Sequence, residues 1–365
     1  MGTLDGIRIV EMSGLGPVPF AAMMFADMGA DVVRIDAPPR NAEDPHDHEG
    51  PIWRGRGAVT LDLKSESENA RARALINAAD VVLEGFRPGV MERLGLGPEA
   101  FEESNPGLVF GRMTGWGQSG QLAAAAGHDI NYLATGGILH YIARQGERPM
   151  PPLNLVGDYG GGGMLLVGGV LAALLERVRS GRGQVVDAAM LDGAALLMTS
   201  VLGWQGRGQW SEPPGTNMID TGAPFYEVYT TNDGGHLAVG AIEPRFYRRL
   251  IDVLELSDVG LPDQFDRASW PETKKVFADA IARRTLSEWR AAFEGVDACV
   301  SPVLDLEQAT ADPHIHERQT YVRDGQFLHA NPAPRFARTP SERGRDGIAE
   351  SLEDVLERWK TVRAK

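Results

Sequence analysis

Three short segments of the chain combine a titratable side chain with an unusual neighbourhood. They are Ala126-Gly127-His128-Asp129-Ile130-Asn131-Tyr132, Asn154-Leu155-Val156-Gly157-Asp158-Tyr159 followed by Gly160 to Gly163, and Gly240-Ala241-Ile242-Glu243-Pro244-Arg245-Phe246-Tyr247. His128 follows a glycine and four alanines, small residues that leave an imidazole accessible. Asp158 stands ahead of four glycines and an apolar helical run, a pattern expected to expose backbone N–H groups at a helix N-terminus. Such a terminus stabilises negative charge, including that of a developing enolate oxygen. Glu243 follows a strand in a loop that can reach into a cleft. A histidine with carboxylates is the residue set of general acid/base chemistry. Each residue also has a structural reading: a satisfied turn histidine, an N-capping aspartate and a solvated loop acid. No metal site is expected. His314 and His316 form an i, i+2 pair in a charged stretch, and His46 and His48 lie in an acidic loop, so both pairs read as solvated.

The turn after the first strand, Ser13-Gly14-Leu15-Gly16-Pro17-Val18-Pro19, carries Gly-x-Gly, the start of a dinucleotide fingerprint. Its third glycine position is Pro19, and Pro17 and Pro19 remove backbone donors that a pyrophosphate would use. The better reading is a tight strand-to-helix turn with proline at the helix start.

The elements that must position these residues follow a βα alternation. Ile7–Val10, Asp31–Ile35, Val59–Leu63, Val81–Glu84 and Leu108–Met113 read as β-branched strands, with helical spacing over Pro19–Gly29 and Ser65–Ala79. The first third is thus an open, parallel, Rossmann-like layer. After the glycine-dense break, helices are expected over Gly163–Arg179 and Ala188–Leu202, around a short strand at Val185–Asp187. Residues 204–221, rich in Gly, Pro and Trp, read as a surface linker. A smaller α+β unit begins with a hairpin, Phe225–Thr230 and His236–Gly240, turned by Asn232-Asp233-Gly234-Gly235. It continues through helical patterns at Arg245–Leu256 and Trp270–Phe293 and a strand at Val300–Val303. A terminal helix is expected near Leu352–Val362. The expected organisation is α/β: a large domain at 1–200, a linker at 201–222, a small α+β domain at 223–315 and a C-terminal segment at 316–365.

The 365 residues carry a formal net charge of −14. That excess gives no general attraction to nucleic acid or to an anionic membrane, so neither is an expected partner. The longest apolar stretch, Met164–Leu175, is too short to span a bilayer. The start of the sequence shows no secretory leader. Cys299, the single cysteine, rules out an internal disulfide and fits a reducing compartment, read as the cytoplasm. Within Ala298-Cys299-Val300 it is expected to be a buried core residue.

At these segments the sequence resembles the α-methylacyl-CoA racemases of the class III CoA-transferase superfamily. The resemblance runs through Leu4–Gly14, Met28–Arg34, Leu61–Lys64, Phe86–Gly89 and Gly115–Gly120. Its most specific parts are Ala126–Tyr132, Gly222–Tyr226 and Ala238–Tyr247; residues 325–347 add little. It implies a Rossmann-like large domain, a smaller α+β domain and a C-terminal segment that returns to the large domain. It also implies an interlocked homodimer whose active site is shared between subunits.

Position by position, the resemblance implies that His128 and Asp158 are the catalytic pair and that Glu243 partners the histidine from the neighbouring small domain. The reaction implied is racemisation of 2-methylacyl-CoA thioesters by proton transfer through an enolate, with the two bases on opposite faces. CoA is then part of the substrate, and no separate cofactor is needed. Arg34 matches a CoA-contacting arginine and Leu61, Asp62, Leu63 and Lys64 a stretch near the adenine. Gly127, His128, Asp129, Ile130, Asn131 and Tyr132 would line the pantetheine end. Arg87, or Arg54 or Arg56, would meet phosphate, for which a guanidinium fork is suited. Met12, Met23, Met24, Met190, Met198 and Met218 suggest an adaptable acyl surface. The alternative within the superfamily is a CoA-transferase with Asp158 as nucleophile. His128 and Glu243 favour the racemase, since a transferase needs no second base across an enolate. A catalytically silent CoA-binding protein is the third reading.

Overall fold

The computed structural model describes residues 2–39, 50–344 and 348–362; His46 and His48 lie outside the described residues. The chain divides into two compact units. The first comprises Met1–Gly136, Pro152–Met198 and Glu317–Lys365, and the second Gly137–Pro151 and Thr199–His316.

The first unit is built on a parallel sheet. Its strands are β1 (Arg8–Met12), β2 (Asp31–Asp36), β3 (Arg56–Thr60), β4 (Val81–Glu84), β5 (Val109–Thr114) and β6 (Val185–Ala189), with helices α1 (Pro17–Asp27), α2 (Glu66–Ala78), α3 (Val90–Arg93), α4 (Asp129–Thr135), α5 (Met164–Ser180) and α6 (Met190–Leu197) between or after them. The central strands are buried on both faces, which is why they read as apolar runs rather than as alternating ones. Ile9, Val32, Val81 and Val109 face a core with Phe25 of α1 and Leu166 and Val170 of α5. Val10, Val33, Val82 and Phe110 face the opposite core with Leu75 and Ile76 of α2.

The C-terminal segment adds an edge strand and a helix to this unit. A two-residue strand (Ile348–Ala349) pairs in parallel with β3, and a helix (Leu352–Val362) packs Val355 and Trp359 onto the α2 face. Arg358 grips Asp31 of β2 through Nε at 2.7 Å and Nη2 at 3.0 Å, and Trp359 Nε1 donates to the same carboxylate at 2.8 Å. A hairpin, Tyr321–Asp324 with Phe327–Ala330, precedes this segment and has no counterpart in the sequence reading. The resulting seven-stranded sheet places β1 between β2 and β4. The strand order therefore reverses at β1, which makes the β1/β4 boundary a topological switch point.

Two helical expectations are corrected. The helix ending at Ser180 starts at Leu155, and its first part, Leu155–Gly163, is a π-helix. By length and composition alone, Leu155–Ser180 would suffice to cross a membrane; in the fold Leu166, Val170 and Ala173 are buried against the sheet. The segment expected as one helix to Leu202 is two, α6 and α7 (Thr199–Gly206), interrupted at Met198.

The second unit contains α7 and the whole stretch read as a linker. Its sheet is antiparallel, β7 (Tyr226–Thr230), β8 (His236–Gly240) and β9 (Val300–Pro302), in that order. Helices α8 (Pro244–Val253), α9 (Trp270–Ile281) and α10 (Leu286–Phe293) accompany it. Phe225, Leu237, Phe277 and Trp289 are at its core. Cys299 is exposed, contrary to expectation. Its φ of 53° turns the chain into β9, and Ala298 takes the core position instead. Partial burial, then the Glu243 carboxylate, raises its thiol pKa, which disfavours the thiolate a nucleophile needs.

Trp359 ties the last helix to the sheet, so Trp359→Ala should destabilise the protein by about 4 kcal/mol. Urea unfolding should show this as a lower midpoint; a midpoint equal to wild type would mean that the terminal helix contributes no stability.

Candidate active site

The C-terminal edge of the parallel sheet opens into a cavity of about 270 Å³ in the first unit. Each strand around the switch point contributes to its wall. Leu15 and Pro17 follow β1, Gly85 and Arg87 follow β4, Thr114 and Trp116 close β5, and Met190 follows β6. The last part of the lining comes from Gly127, His128 and Tyr132. Open parallel sheets bind ligands at this edge because the strand-to-helix loops diverge there.

His128 is the N-cap residue of α4, with φ −131° and ψ 174°, and its side chain is exposed. The cap is tied from the other side: Asn131 Oδ1 accepts the His128 backbone N–H at 3.0 Å. The imidazole is at the cavity wall. Below it, the Tyr132 hydroxyl donates to the Gly127 carbonyl, and the Tyr132 ring meets Trp116 edge-on at 4.8 Å. A Cβ at Gly127 would lie 2.7 Å from that tyrosine ring, so the glycine before His128 is a packing requirement.

Asp158 lies in the π-helix, half-buried. Its carboxylate faces the turn after β1, where a Cβ on Gly16 would come within 3.3 Å of Oδ2. Gly16 has φ 73°, a conformation that favours glycine. The Gly-x-Gly turn thus makes room for an aspartate between the cavity residues Leu15 and Pro17; Pro17 and Pro19 open α1 and bring no N–H donors. Burial pushes the Asp158 carboxyl above the usual carboxylate range. The Asn154 side chain, 3.3 Å from Oδ2, and His128 oppose this, and the Asp129 carboxylate adds to it.

The four glycines have a different role from the one expected. They lie inside the π-helix, so their amides are committed to i→i+5 bonds, as in the Tyr159 N–H to Asn154 carbonyl bond at the start of the pattern. They are close-packing positions. A Cβ on Gly161 would sit 2.6 Å from the backbone nitrogen of Ala194 in α6, and one on Gly163 would sit 2.6 Å from the Phe20 ring. The Asp158 N–H is also taken, by Asp129 Oδ2 at 2.7 Å. The expected enolate-binding amides at 158–163 are therefore not free.

The expected CoA contacts fall along the same sheet edge with different degrees of access. Arg87 is exposed and lines the cavity. Asp62 and Lys64 are exposed just beyond β3, Leu63 packs on the core, and Leu61 is buried within it. Arg34 is buried at the end of β2. It is locked on Asp36 by Nε at 2.7 Å and Nη2 at 2.9 Å, with its guanidinium 5.0 Å from the Trp53 ring centroid. Its Nη1 is buried without a partner among the described residues. Ile130 and Asn131 are exposed, whereas Asp129 is buried.

Arg54 and Arg56 are corrected as phosphate candidates. Arg54 is bidentate on Asp27 at 2.9 and 2.6 Å, and Arg56 is sealed against Glu11 at 2.7 Å with neither side chain exposed. Breaking such pairs to meet a ligand would strand a buried carboxylate. Of the methionines, Met190 lines the cavity, and so does Met113, which periodicity marked only as a strand residue. Met12 and Met24 are core residues. Glu243 belongs to the second unit, where it is the exposed N-cap residue of α8. The structure thus gathers His128, Asp158, Tyr132 and Arg87 around one edge of the first unit.

Residues 4–346 match CoA-transferase family III. The chain belongs to this family. Among its relatives, the alpha-methylacyl-CoA racemase of Mus musculus is 48% identical over 339 residues, which cover 93% of this chain and 87% of that protein. The alpha-methylacyl-CoA racemase of Homo sapiens is 45% identical over 360 residues, 98% of this chain and 93% of that protein. The crystal structure of Rv3272 from Mycobacterium tuberculosis superposes with a TM-score of 0.81 at 27% identity, over 98% of this chain and 99% of that one.

The raised Asp158 pKa has a consequence for stability. Below the range in which an unfolded aspartate titrates, both states are protonated and the group costs nothing; once pH rises through its folded pKa, the ionised carboxylate destabilises the fold. Asp158→Asn should therefore unfold at higher urea than wild type at about pH 8, and the difference should vanish toward about pH 4. An equal gain at both pH values would exclude ionisation as the cause.

Proposed function

We propose that the protein is a 2-methylacyl-CoA racemase, interconverting the (2R) and (2S) thioesters by removing and returning the α-proton. The carrying observation is that His128 lines the cavity of the first unit while the Asp158 carboxylate packs against Gly16, in the turn that brings Leu15 and Pro17 to the same wall, with the histidine favouring the aspartate's ionised form. The 48% and 45% identity to proteins named alpha-methylacyl-CoA racemase supports the same reading.

The α-proton of a thioester is weakly acidic, so its removal needs a base in reach and donors for the enolate oxygen. In one direction Asp158 takes the proton and imidazolium His128 returns one to the opposite face; in the other the roles exchange. A carboxyl raised by burial suits both roles, because its proton affinity lies nearer that of the imidazole. With the glycine amides committed inside the π-helix, the backbone N–H groups of Asp129 and Ile130, at the start of α4 beside His128, are the donors for the enolate oxygen.

In this reading the partner subunit's Glu243 fixes the imidazole tautomer and supports the imidazolium, which requires the interlocked homodimer. Arg34, Leu61 to Lys64 and Arg87 follow the CoA moiety along the sheet edge. CoA is substrate, not cofactor, and the enzyme works in the cytoplasm with neither nucleic acid nor membrane as partner.

Incubating one epimer of a 2-methylacyl-CoA with the enzyme in D2O should replace the α-proton and carry the epimers toward equal amounts, followed by NMR. His128→Ala and Asp158→Ala should each slow exchange by about 100-fold or more. Absence of exchange, with CoA passed to an added free acid and Asp158 trapped by hydroxylamine, would mean a CoA-transferase instead.

A further inference from the structure

Asp129 follows His128 directly and was expected to lie along the pantetheine. Its side chain does something else. The residue is 8% exposed, and its carboxylate turns away from solvent toward the π-helix. Oδ2 accepts the backbone N–H of Asp158 at 2.7 Å, the short range of a bond to an ionised acceptor. The fit leaves no slack. A Cβ on Gly157 would overlap the same oxygen, so glycine at 157 is what lets the carboxylate reach the next amide. Oδ1 is buried with no hydrogen-bond partner among the described residues.

We propose that Asp129 is a positioning residue for the proton transfer. Its carboxylate clamps the Asp158 backbone and joins the residue carrying one base to the neighbour of the other. The proposal rests on the racemase reading. Two bases serving opposite faces of one planar enolate must keep a fixed separation. His128 sits on the first turn of a seven-residue helix, and Asp158 on a π-helix thirty residues later. Asp129 Oδ2 to Asp158 N–H is the direct hydrogen bond between these two elements at the bases themselves. The clamp also sets charge. The charged groups acting on Asp158 are Asp129, the first residue of α4, and His128, its N-cap, and the two have opposite effects on it; the Tyr132 hydroxyl, its pKa raised by burial and then by Asp158, is the other titratable group facing it. Asp129 thus favours the protonated form of Asp158, and His128 the ionised form.

The test uses the full-length enzyme with Asp129→Asn, Asp129→Ala and, as a control on the reading, Asp158→Ala. Wild-type exchange in Asp158→Ala would sink the racemase assignment itself and is separable from the outcomes for Asp129. Asparagine keeps an acceptor for the amide but loses the charge; alanine loses both. In Asp129→Asn, kcat should fall about 10-fold. The acid limb of the pH–rate profile should move to lower pH in the direction for which Asp158 is the base, because removing a neighbouring negative charge lowers its pKa. In Asp129→Ala, kcat should fall about 100-fold with KM for the thioester within about two-fold, the loss expected for an ångström-scale misplacement. If the alanine variant does not fold, the asparagine variant decides alone. A rise in KM at unchanged kcat would make Asp129 a ligand contact and overturn the proposal. So would a kcat loss with an unmoved acid limb in both directions, or wild-type kinetics.

Discussion

Gly161 and Gly193 meet backbone to backbone, and the site depends on that contact. A Cβ at Gly161 would lie 3.0 Å from the Gly193 carbonyl carbon, and one at Gly193 would overlap the Gly161 carbonyl. Only with both side chains absent can the π-helix lie flush on α6. That depth puts Asp158 against the turn after β1 and brings its amide within reach of Asp129. A π-helix is a costly way to arrange nine residues, and such segments persist where surrounding packing holds them. Here the packing comes from three sides: α6 at Gly161, Pro17 of α1 at Gly162 and the Phe20 ring at Gly163.

The charge distribution answers how an acidic chain can hold a polyanion. Many arginines of the first unit are already spent inside it. Arg56 with Glu11, Arg54 with Asp27 and Arg112 with Glu84 are buried pairs at 2.6 to 2.8 Å. They shape the loops that end the strands; Glu84, for example, also accepts the Phe86 N–H at 2.7 Å and so fixes the path that carries Arg87 to the cavity. Pairs of this kind add little net stability over apolar packing but strongly penalise rearrangement. Arg87 and Lys64 are cations at the sheet edge that belong to no ion pair among the described residues, and they are local. The −14 net charge and a local anion site therefore coexist without conflict.

The sheet was legible because parallel strands buried on both faces leave dense β-branched runs, as in Ile9-Val10 and Val32-Val33. The candidates His128 and Asp158 were singled out by family pattern, whereas their surroundings depend on contacts that pattern does not carry. Gly160 to Gly163 read as a helix start because a glycine run breaks a propensity scale, and nothing local distinguishes a cap from a close-packed π-turn. Cys299 was misplaced because its apolar neighbours suggested burial, while a positive φ turned it outward. Arg54 and Arg56 resembled ligand contacts because sequence shows charge and not the carboxylate sealed against it. Asp129 was hidden by its position beside a catalytic candidate; its carboxylate acts through a residue twenty-nine positions away.

The clasp of Arg358 and Trp359 on Asp31 bears on how the chain is made. The first unit is assembled from three stretches, and the last strand of its sheet and one of its covering helices come from residues 348–362. On a ribosome, the α2 face of the sheet would lack the cover of Val355 and Trp359 while the Thr199–His316 part of the second unit emerged. That face carries Val10, Val33 and Val82, which α2 covers only in part, so some apolar surface stays open until the terminal helix is made, and such surfaces are aggregation-prone. The second unit's 199–316 stretch is continuous and holds its own three-stranded sheet. Its residues can find their partners first, and the first unit is sealed only by the last turns of the chain.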